Sequence, residues 1–189
     1  VIGTTGYTFE PNATISLTSP VTLTNLLTVA PATGTTFTMS GVLSGAGGIT
    51  QNGAGTTLLS GNSTHTGTTT VTSGTLRLGA AGTSPNSPLG TTAPGTTVSS
   101  GAVLDLNGFT LATAEGLTLN GTGISGGALI NSGAAATYSG AVTLASNSSI
   151  GTTGNITLSG VVSGAGISLT KVGAGSLIFS GNNTYSGTT

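Results

Sequence analysis

The sequence predicts an all-β protein in which short strands are stacked as successive coils. Three observations lead to this prediction: apolar residues alternate with Thr or Ser over short segments, turns rich in Gly and Asn separate these segments, and the chain repeats itself. Internal repetition favours stacking of coils over closure into a barrel.

Charge is almost absent from the chain. Its 189 residues include two Lys or Arg, three Asp or Glu, one His and no Cys, and the mean hydropathy is +0.36. Disordered chains combine low hydropathy with high net charge, so we expect this chain to fold. It has neither the basic stripe that nucleic acid requires nor an apolar run near the ~20 residues of a membrane span. We therefore expect no nucleic-acid partner and no membrane insertion by this segment.

The strand predictions follow the two-residue alternation of a half-buried strand. Between the strands stand GAG, SGN, NG and SG, where Gly and Asn adopt positive φ at little cost. Thr, Val and Ile disfavour helix, and no helical stripe interrupts the pattern. The clearest predicted strands are residues 14–18, 21–24, 69–72, 75–78, 103–106, 117–119 and 177–179.

A long internal repeat organises the chain. Residues 40–47 read SGVLSGAG and residues 159–166 read SGVVSGAG, while GAGTTLLSGNSTHTGTT at 53–69 returns as GAGSLIFSGNNTYSGTT at 173–189. The offset is 119 and then 120 positions. We interpret residues 1–189 as a single segment holding about one and a half repeats, with motif copies at 40–78 and 159–189. It is expected to form part of a longer array or fibre.

The lengths of the strands and turns predict the number of coils. Three strands of ~4 residues and three turns of ~3 make a coil of ~21 residues, so the chain holds about nine coils, within a range of eight to ten.

The stretch LTKVGAGSLIFSGNNTYSGTT, 169–189, resembles the passenger-associated transport repeat, also called the autotransporter-associated β-strand repeat. In the first copy Gln51 stands for the usual Lys, Ser63 for Asn and His65 for Tyr. The resemblance implies a right-handed parallel β-helix, export, and a location outside the bacterial cell or on its surface. The repeat-motif residues predicted to be structural are Gly53, Gly55, Ser60, Gly61, Thr64, Gly67 and Gly74 in the first copy, and Gly173, Gly175, Ser180, Gly181, Asn183, Thr184, Tyr185 and Gly187 in the second.

The sequence offers little catalytic chemistry. Residues 121–126 spell G-x-G-x-x-G, but no helix follows, as a dinucleotide site requires. His65 lacks a second His or Cys and is expected at an exposed corner. The only carboxylates, Glu10, Asp105 and Glu115, are too scattered to predict the paired acids of sugar chemistry. We predict no enzyme activity and no catalytic, cofactor-binding or metal-binding residue.

Two functional hypotheses remain. The first is a structural stalk or fibre segment that contacts neighbouring repeats, or further copies of itself, through the edges of its terminal coils. The alternative is an adhesin that binds glycans or surfaces through an exposed β-face, for which Tyr138 and Tyr185 are the candidate aromatic contacts.

Overall fold

The chain folds as a solenoid in which parallel strands pair from coil to coil. The computed structural model describes residues 6–124 and 126–189, with the backbone alone at Thr152. Every secondary-structure element in these ranges is a strand, as expected for an all-β chain. None of the described residues forms a helix long and apolar enough to cross a membrane.

Two eight-stranded parallel sheets run the length of the solenoid. The first sheet contains Tyr7–Phe9, Leu27–Val29, Ile49–Gln51, Thr69–Val71, Thr96–Val98, Leu117–Leu119, Val142–Leu144 and Val162–Ser163. The second contains Ile15–Leu17, Thr36–Met39, Thr56–Leu59, Gly74–Leu78, Ala102–Asp105, Leu129–Asn131, Ser148–Thr152 and Leu169–Val172. Eight coils are therefore stacked, within the predicted range.

The third side of each coil is less regular. It has parallel strands in the first two coils and the last three, and turns in the coils between. A small antiparallel pair lies within the fourth coil and is largely buried. The third-side strands are Val21–Thr22, Leu43–Ser44, Ala136–Tyr138, Ile156–Leu158 and Leu177–Phe179, and the antiparallel pair is Asn86–Ser87 with Gly90–Thr91.

Coil length varies along the solenoid. Partners in the first sheet are separated by 20, 22, 20, 27, 21, 25 and 20 residues in successive steps. The two long coils have their extra residues outside the two long sheets, in the antiparallel pair and in turns, so pairing within these sheets continues past them. The predicted length of ~21 residues is close to most of these values.

The core is a set of stacked side chains inside the coils. Strands bury their first and third residues and direct the second outward, as Leu27–Val29 and Leu117–Leu119 do. Each inward Leu or Ile lies over its counterpart in the next coil, and burying such a side chain contributes about 1.5–3 kcal/mol. The solenoid is therefore stabilised by contacts between adjacent coils.

Candidate functional site

The first copy of the repeat motif builds a corner at which one coil binds the coil before it. The amides of Thr64 and His65 both donate to the Leu43 carbonyl oxygen, at 2.7 and 3.1 Å. In return, the Leu43 amide donates to Ser63 Oγ at 3.2 Å.

The second copy repeats these bonds with different side chains. The Thr184 and Tyr185 amides donate to the Val162 carbonyl oxygen at 2.8 and 3.3 Å, and the Val162 amide donates to Asn183 Oδ1 at 2.8 Å. Ser63 thus accepts the same bond as the Asn that is usual at its position.

Glycines let the coils approach closely at these corners. A Cβ on Gly61 would lie 2.2 Å from the Gly41 carbonyl oxygen, and one on Gly181 would lie 2.3 Å from that of Gly160. Gly67 and Gly187 would likewise place a Cβ within 2.4 and 2.1 Å of the preceding coil's backbone.

The turn before each motif strand is also shared. Gln51 Nε2 donates to the Gly53 carbonyl oxygen at 2.7 Å, and Lys171 Nζ donates to that of Gly173 at 2.6 Å. The departure from Lys to Gln therefore preserves the hydrogen bond, although Gln51 is buried and Lys171 is exposed.

The remaining motif residues lie in the same turns. The Ser60 and Ser180 amides donate to Met39 and Leu158 in the previous coil. The glycines of the turns either lack room for a Cβ or have positive φ; they are Gly53, Gly55, Gly74, Gly173 and Gly175.

The two motif copies face different directions. Ile49–Gln51 lies in the first sheet, but its counterpart Leu169–Val172 lies in the second. In the first sheet, five coils separate Ile49 from Val162, 113 positions later. The 120-residue repeat therefore spans five coils plus one side.

His65 lies inside the solenoid, so its expected position at an exposed corner was wrong. Its side chain is fully buried because Gly61, Ser63 and His65 continue the inward alternation of the preceding strand. Its counterpart Tyr185 is half-buried, packs 6.1 Å from the Phe179 ring and pairs its hydroxyl with Thr189 at 2.7 Å.

The hydrogen bonds of His65 determine which ring nitrogen carries the proton. Thr69 Oγ1 donates to the Leu89 carbonyl oxygen at 2.7 Å, so it accepts from His65 Nε2 at 3.2 Å. His65 Nδ1 is buried without a partner in the described structure. Burial lowers the pKa of His65 from 6.5 to about 4, against a smaller raising effect from the Leu43 backbone, so the ring is neutral.

Glu115 is an acidic residue whose interior position was not predicted from the sequence. It is fully buried, and its carboxylate oxygens accept from Thr96 Oγ1 at 2.5 Å and Ser87 Oγ at 3.2 Å. Burial raises the pKa of Glu115 from 4.5 to about 7, although both hydroxyls act to lower it. The available signal was the alternation Leu111, Thr113, Glu115, Leu117, which places the acid on the inward face.

The interior around Glu115 is polar over several coils. Thr113 Oγ1 and Tyr138 Oη are also buried without a partner among the described residues, and burial followed by the Glu115 charge raises the pKa of Tyr138. These side chains are buried, so they do not present a surface to a substrate.

The other charged residues either form an ion pair or are exposed. Asp105 is fully buried beneath its neighbours and pairs with Arg77 Nε at 2.8 Å, while Ser132 Oγ donates to it at 2.7 Å. Glu10 and Lys171 are exposed. Across the part of the chain that is described, no three His, Cys, Asp or Glu residues come close enough to hold a metal ion.

The G-x-G-x-x-G stretch forms turns. Gly121, Gly123 and Gly126 have φ of 71°, 69° and 93°, and a strand, Leu129–Asn131, is the next element. Residue 125 of this stretch lies outside the described ranges. The helix that would bind a pyrophosphate does not follow these residues.

Comparison with known proteins identifies the repeat. The family model of the passenger-associated transport repeat matches residues 49–78 and 169–189. The adhesin BmaC autotransporter of Brucella suis biovar 1 (strain 1330) is 32% identical over 188 residues, which cover 94% of this chain and 5% of that protein. The chain therefore spans a small part of this relative. No solved structure gave a significant match.

Proposed function

This chain belongs to the proteins that carry the passenger-associated transport repeat, and on that basis we propose that it is a structural β-solenoid segment of a secreted or cell-surface bacterial protein. The observation that carries the proposal is the unbroken stacking of eight coils through two parallel sheets. Motif residues supply bonds between coils in both copies, which supports a scaffold role for the repeat.

The proposed role is non-enzymatic. Of the three carboxylates, Glu115 is enclosed by the core and Asp105 is paired with Arg77, which leaves Glu10 as the exposed one. Sugar-cleaving chemistry uses two acids that flank the bond being broken. A role without nucleic acid or membrane insertion fits the near absence of basic residues.

The first coil offers a surface for stacking. Tyr7, Phe9 and Ile15 are exposed by 58%, 42% and 38%, and they border an apolar hollow of about 350 Å³ that also contacts Phe37 and Met39. At such an end, the exposed strand edges can form hydrogen bonds with the strands of another coil, and the apolar side chains can pack against it. We propose that neighbouring repeats, or a further copy of the chain, cover this end.

Electron microscopy of the purified chain at neutral pH tests end-to-end stacking. We expect filaments longer than the ~34 Å spanned by seven steps between eight coils. Tyr7→Glu should shorten them, because a charge would be buried at each junction. Ile124→Glu is the matched control, since Ile124 is equally exposed at 58% but lies away from this end. Rods of single-chain length in the unsubstituted protein would reject self-stacking.

The alternative function is adhesion, favoured by the 32% identity to a protein named as an adhesin. Tyr138 is fully buried and so is removed from the candidate contacts, whereas Tyr185 is partly exposed. Binding of the chain to immobilised host-cell glycans, compared with binding of Tyr185→Ala, tests this alternative. Equal retention on glycan-coated and uncoated surfaces would reject it.

A further inference from the structure

A single row of hydroxyl side chains runs along the outside of the first sheet. The central, outward residue of each strand is Thr in seven successive coils and Ser in the eighth. Register pairs these residues directly from coil to coil, and we call them the threonine row: Thr8, Thr28, Thr50, Thr70, Thr97, Thr118, Thr143 and Ser163.

Strand preference alone does not explain the threonine row. Thr suits outward positions of any sheet, yet the corresponding row of the second sheet is mixed. It reads Ser16, Thr38, Leu58, Arg77, Asp105, Ile130, Gly151 and Val172. Uniformity is therefore a property of one face of the solenoid.

The hydroxyls of this row are available to a partner. Within the described structure none of the seven Thr side chains forms a hydrogen bond, whereas Thr57, Thr69 and Thr96 all do. The eight strands that carry the row contain no charged residue. The face is thus neutral, and its hydroxyls can both donate and accept.

The spacing of the row restricts what can bind along its whole length. Adjacent hydroxyls repeat at the ~4.8 Å distance between paired strands. A partner whose repeat differed by about 0.5 Å would be out of step by about 3.5 Å after seven steps, more than a hydrogen bond tolerates. A second β-solenoid has the same spacing, because its coils are also separated by the distance between paired strands.

We propose that the threonine row is a lateral contact surface for a second copy of this chain, with the two solenoids antiparallel. Hydroxyl rows are self-complementary, as a two-fold symmetric contact requires. This contact involves the side of the solenoid, so it is separate from stacking at the ends.

The antiparallel arrangement follows from a loop beside the row. Thr92–Pro94 borders one half of the row, with a hollow of about 220 Å³ between the loop and Thr97, Thr118 and Thr143. When the solenoids are antiparallel, the bordered half of each row faces the open half of the other, so the loops do not meet. Thr70 then lies opposite Thr97, and Thr50 lies opposite Thr118.

The contact between two single chains should be weak. A strip ~34 Å long and ~10 Å wide covers about 340 Å² on each partner, less than half of a standard stable interface. The affinity of the contact increases with the number of coils. Further row positions add contacts, whereas the translational and rotational freedom of the two partners is lost only once.

Chemical cross-linking can capture such a pair, and the chain contains no cysteine that would interfere. Thr97→Cys is the reporter on the row, and Thr38→Cys, at the centre of a second-sheet strand, is the matched control. With a short bis-maleimide, we expect about fivefold more covalent dimer from the row reporter, as about 1 kcal/mol of preference gives. Equal yields from the two reporters would overturn the proposal.

Charge substitutions in the Thr97→Cys background test the antiparallel register. Thr50→Lys with Thr118→Lys places like charges opposite each other and should reduce the dimer yield about fivefold. Thr50→Lys with Thr118→Glu places opposite charges together and should restore the yield. In a parallel pair, both double variants would place like charges together and both would lose the dimer.

Three results would overturn the proposal in this second experiment. Loss of the dimer in both double variants would reject the antiparallel register, and no loss in either would show that the row is not the contact. Restoration in the Lys–Lys variant alone would also contradict it. Circular dichroism of every variant serves as the control that the solenoid is folded. The length of the filaments in the microscope is expected to be unchanged, because the substitutions do not alter the ends of the solenoid.

Discussion

His65 and Glu115 are neutral inside the folded chain over a pH range in which both would be charged when unfolded. The pKa of His65 is lowered from 6.5 to about 4, and that of Glu115 is raised from 4.5 to about 7. Between pH 4.5 and 6.5 the folded pair therefore holds one proton, on Glu115, and the unfolded pair also holds one, on His65. Because the number of bound protons is equal, these two residues leave stability independent of pH in this window.

Glu115→Gln should expose the titration of His65. Gln resembles the protonated acid, so Thr96 and Ser87 keep a partner, while His65 still becomes protonated at low pH. Stability should be complete above pH 6.5 and fall by about 3 kcal/mol as the pH falls through 4. Urea denaturation at pH 7 and pH 4 measures this difference.

His65→Gln should produce the opposite dependence, because only Glu115 then titrates. Stability should be complete below pH 4.5 and fall by about 3 kcal/mol as the pH rises through 7. The same denaturation experiment at pH 4.5 and pH 8 measures the loss. If both variants were as insensitive to pH as the unsubstituted chain, the buried positions of the two groups would not control their protonation.

At the residue scale, the interior positions of His65 and Glu115 were not predicted from the sequence. Two-residue alternation was used to find strands, but it also continues through turns, where it directs His65 and Glu115 inward. Charged side chains are rarely fully buried unless they are paired, so composition alone gave no reason to place Glu115 inside. The hydrogen-bond partners of Glu115, Thr96 and Ser87, come from other parts of the solenoid. Which residues meet there depends on the exact length of each coil, which could not be read from the sequence.

At the scale of single elements, close approach between turns makes certain glycines irreplaceable. Gly61→Ala would place a Cβ 2.2 Å from the Gly41 carbonyl oxygen, so the coils must separate at this corner. We expect a loss of about 2–3 kcal/mol in the free energy of unfolding, measured by chemical denaturation.

Gly116→Ala is the control for this substitution. Its Cβ would meet no atom within 4 Å, so the change should alter stability by less than about 0.5 kcal/mol. An equal loss in both variants would indicate that chain flexibility, rather than the contact between coils, determines the effect.

Strand positions were predictable because alternation and turn residues are local signals. Residues 117–119 and 177–179 were predicted with the observed bounds, and 69–72 and 75–78 within one residue. The equivalence of Gln51 and Lys171 was not predictable from residue type. It depends on a shared acceptor, the carbonyl oxygen two residues later.

At the scale of the whole molecule, each coil is stabilised by the coils on either side of it. Among the described residues, Tyr7–Phe9 and Ile15–Leu17 each pair with one strand, and both are largely exposed. In the chain before it stacks end to end, hydrogen exchange followed by mass spectrometry should therefore find faster exchange in these two strands than in Gly74–Leu78. Uniform protection along the chain would instead indicate a single cooperative unit.

The architecture and the number of coils were predictable from strand spacing and repetition. The orientation of the second motif copy was not, because the coils of 27 and 25 residues change how many turns fit into one repeat. Although the two copies share much of their sequence, the solenoid places them on adjacent sides.

The repeat is not a whole number of coils long, so successive copies of it begin on different sides of the solenoid. Five coils plus one side advance each copy of the unit by a third of the circumference, so a fourth copy at the same spacing would be the first to face the original direction. Duplication would then preserve the internal bonding of a corner while changing the direction in which it points. In a tandem array of this kind, three consecutive copies would present the same corner on each of the three sides of the solenoid in turn.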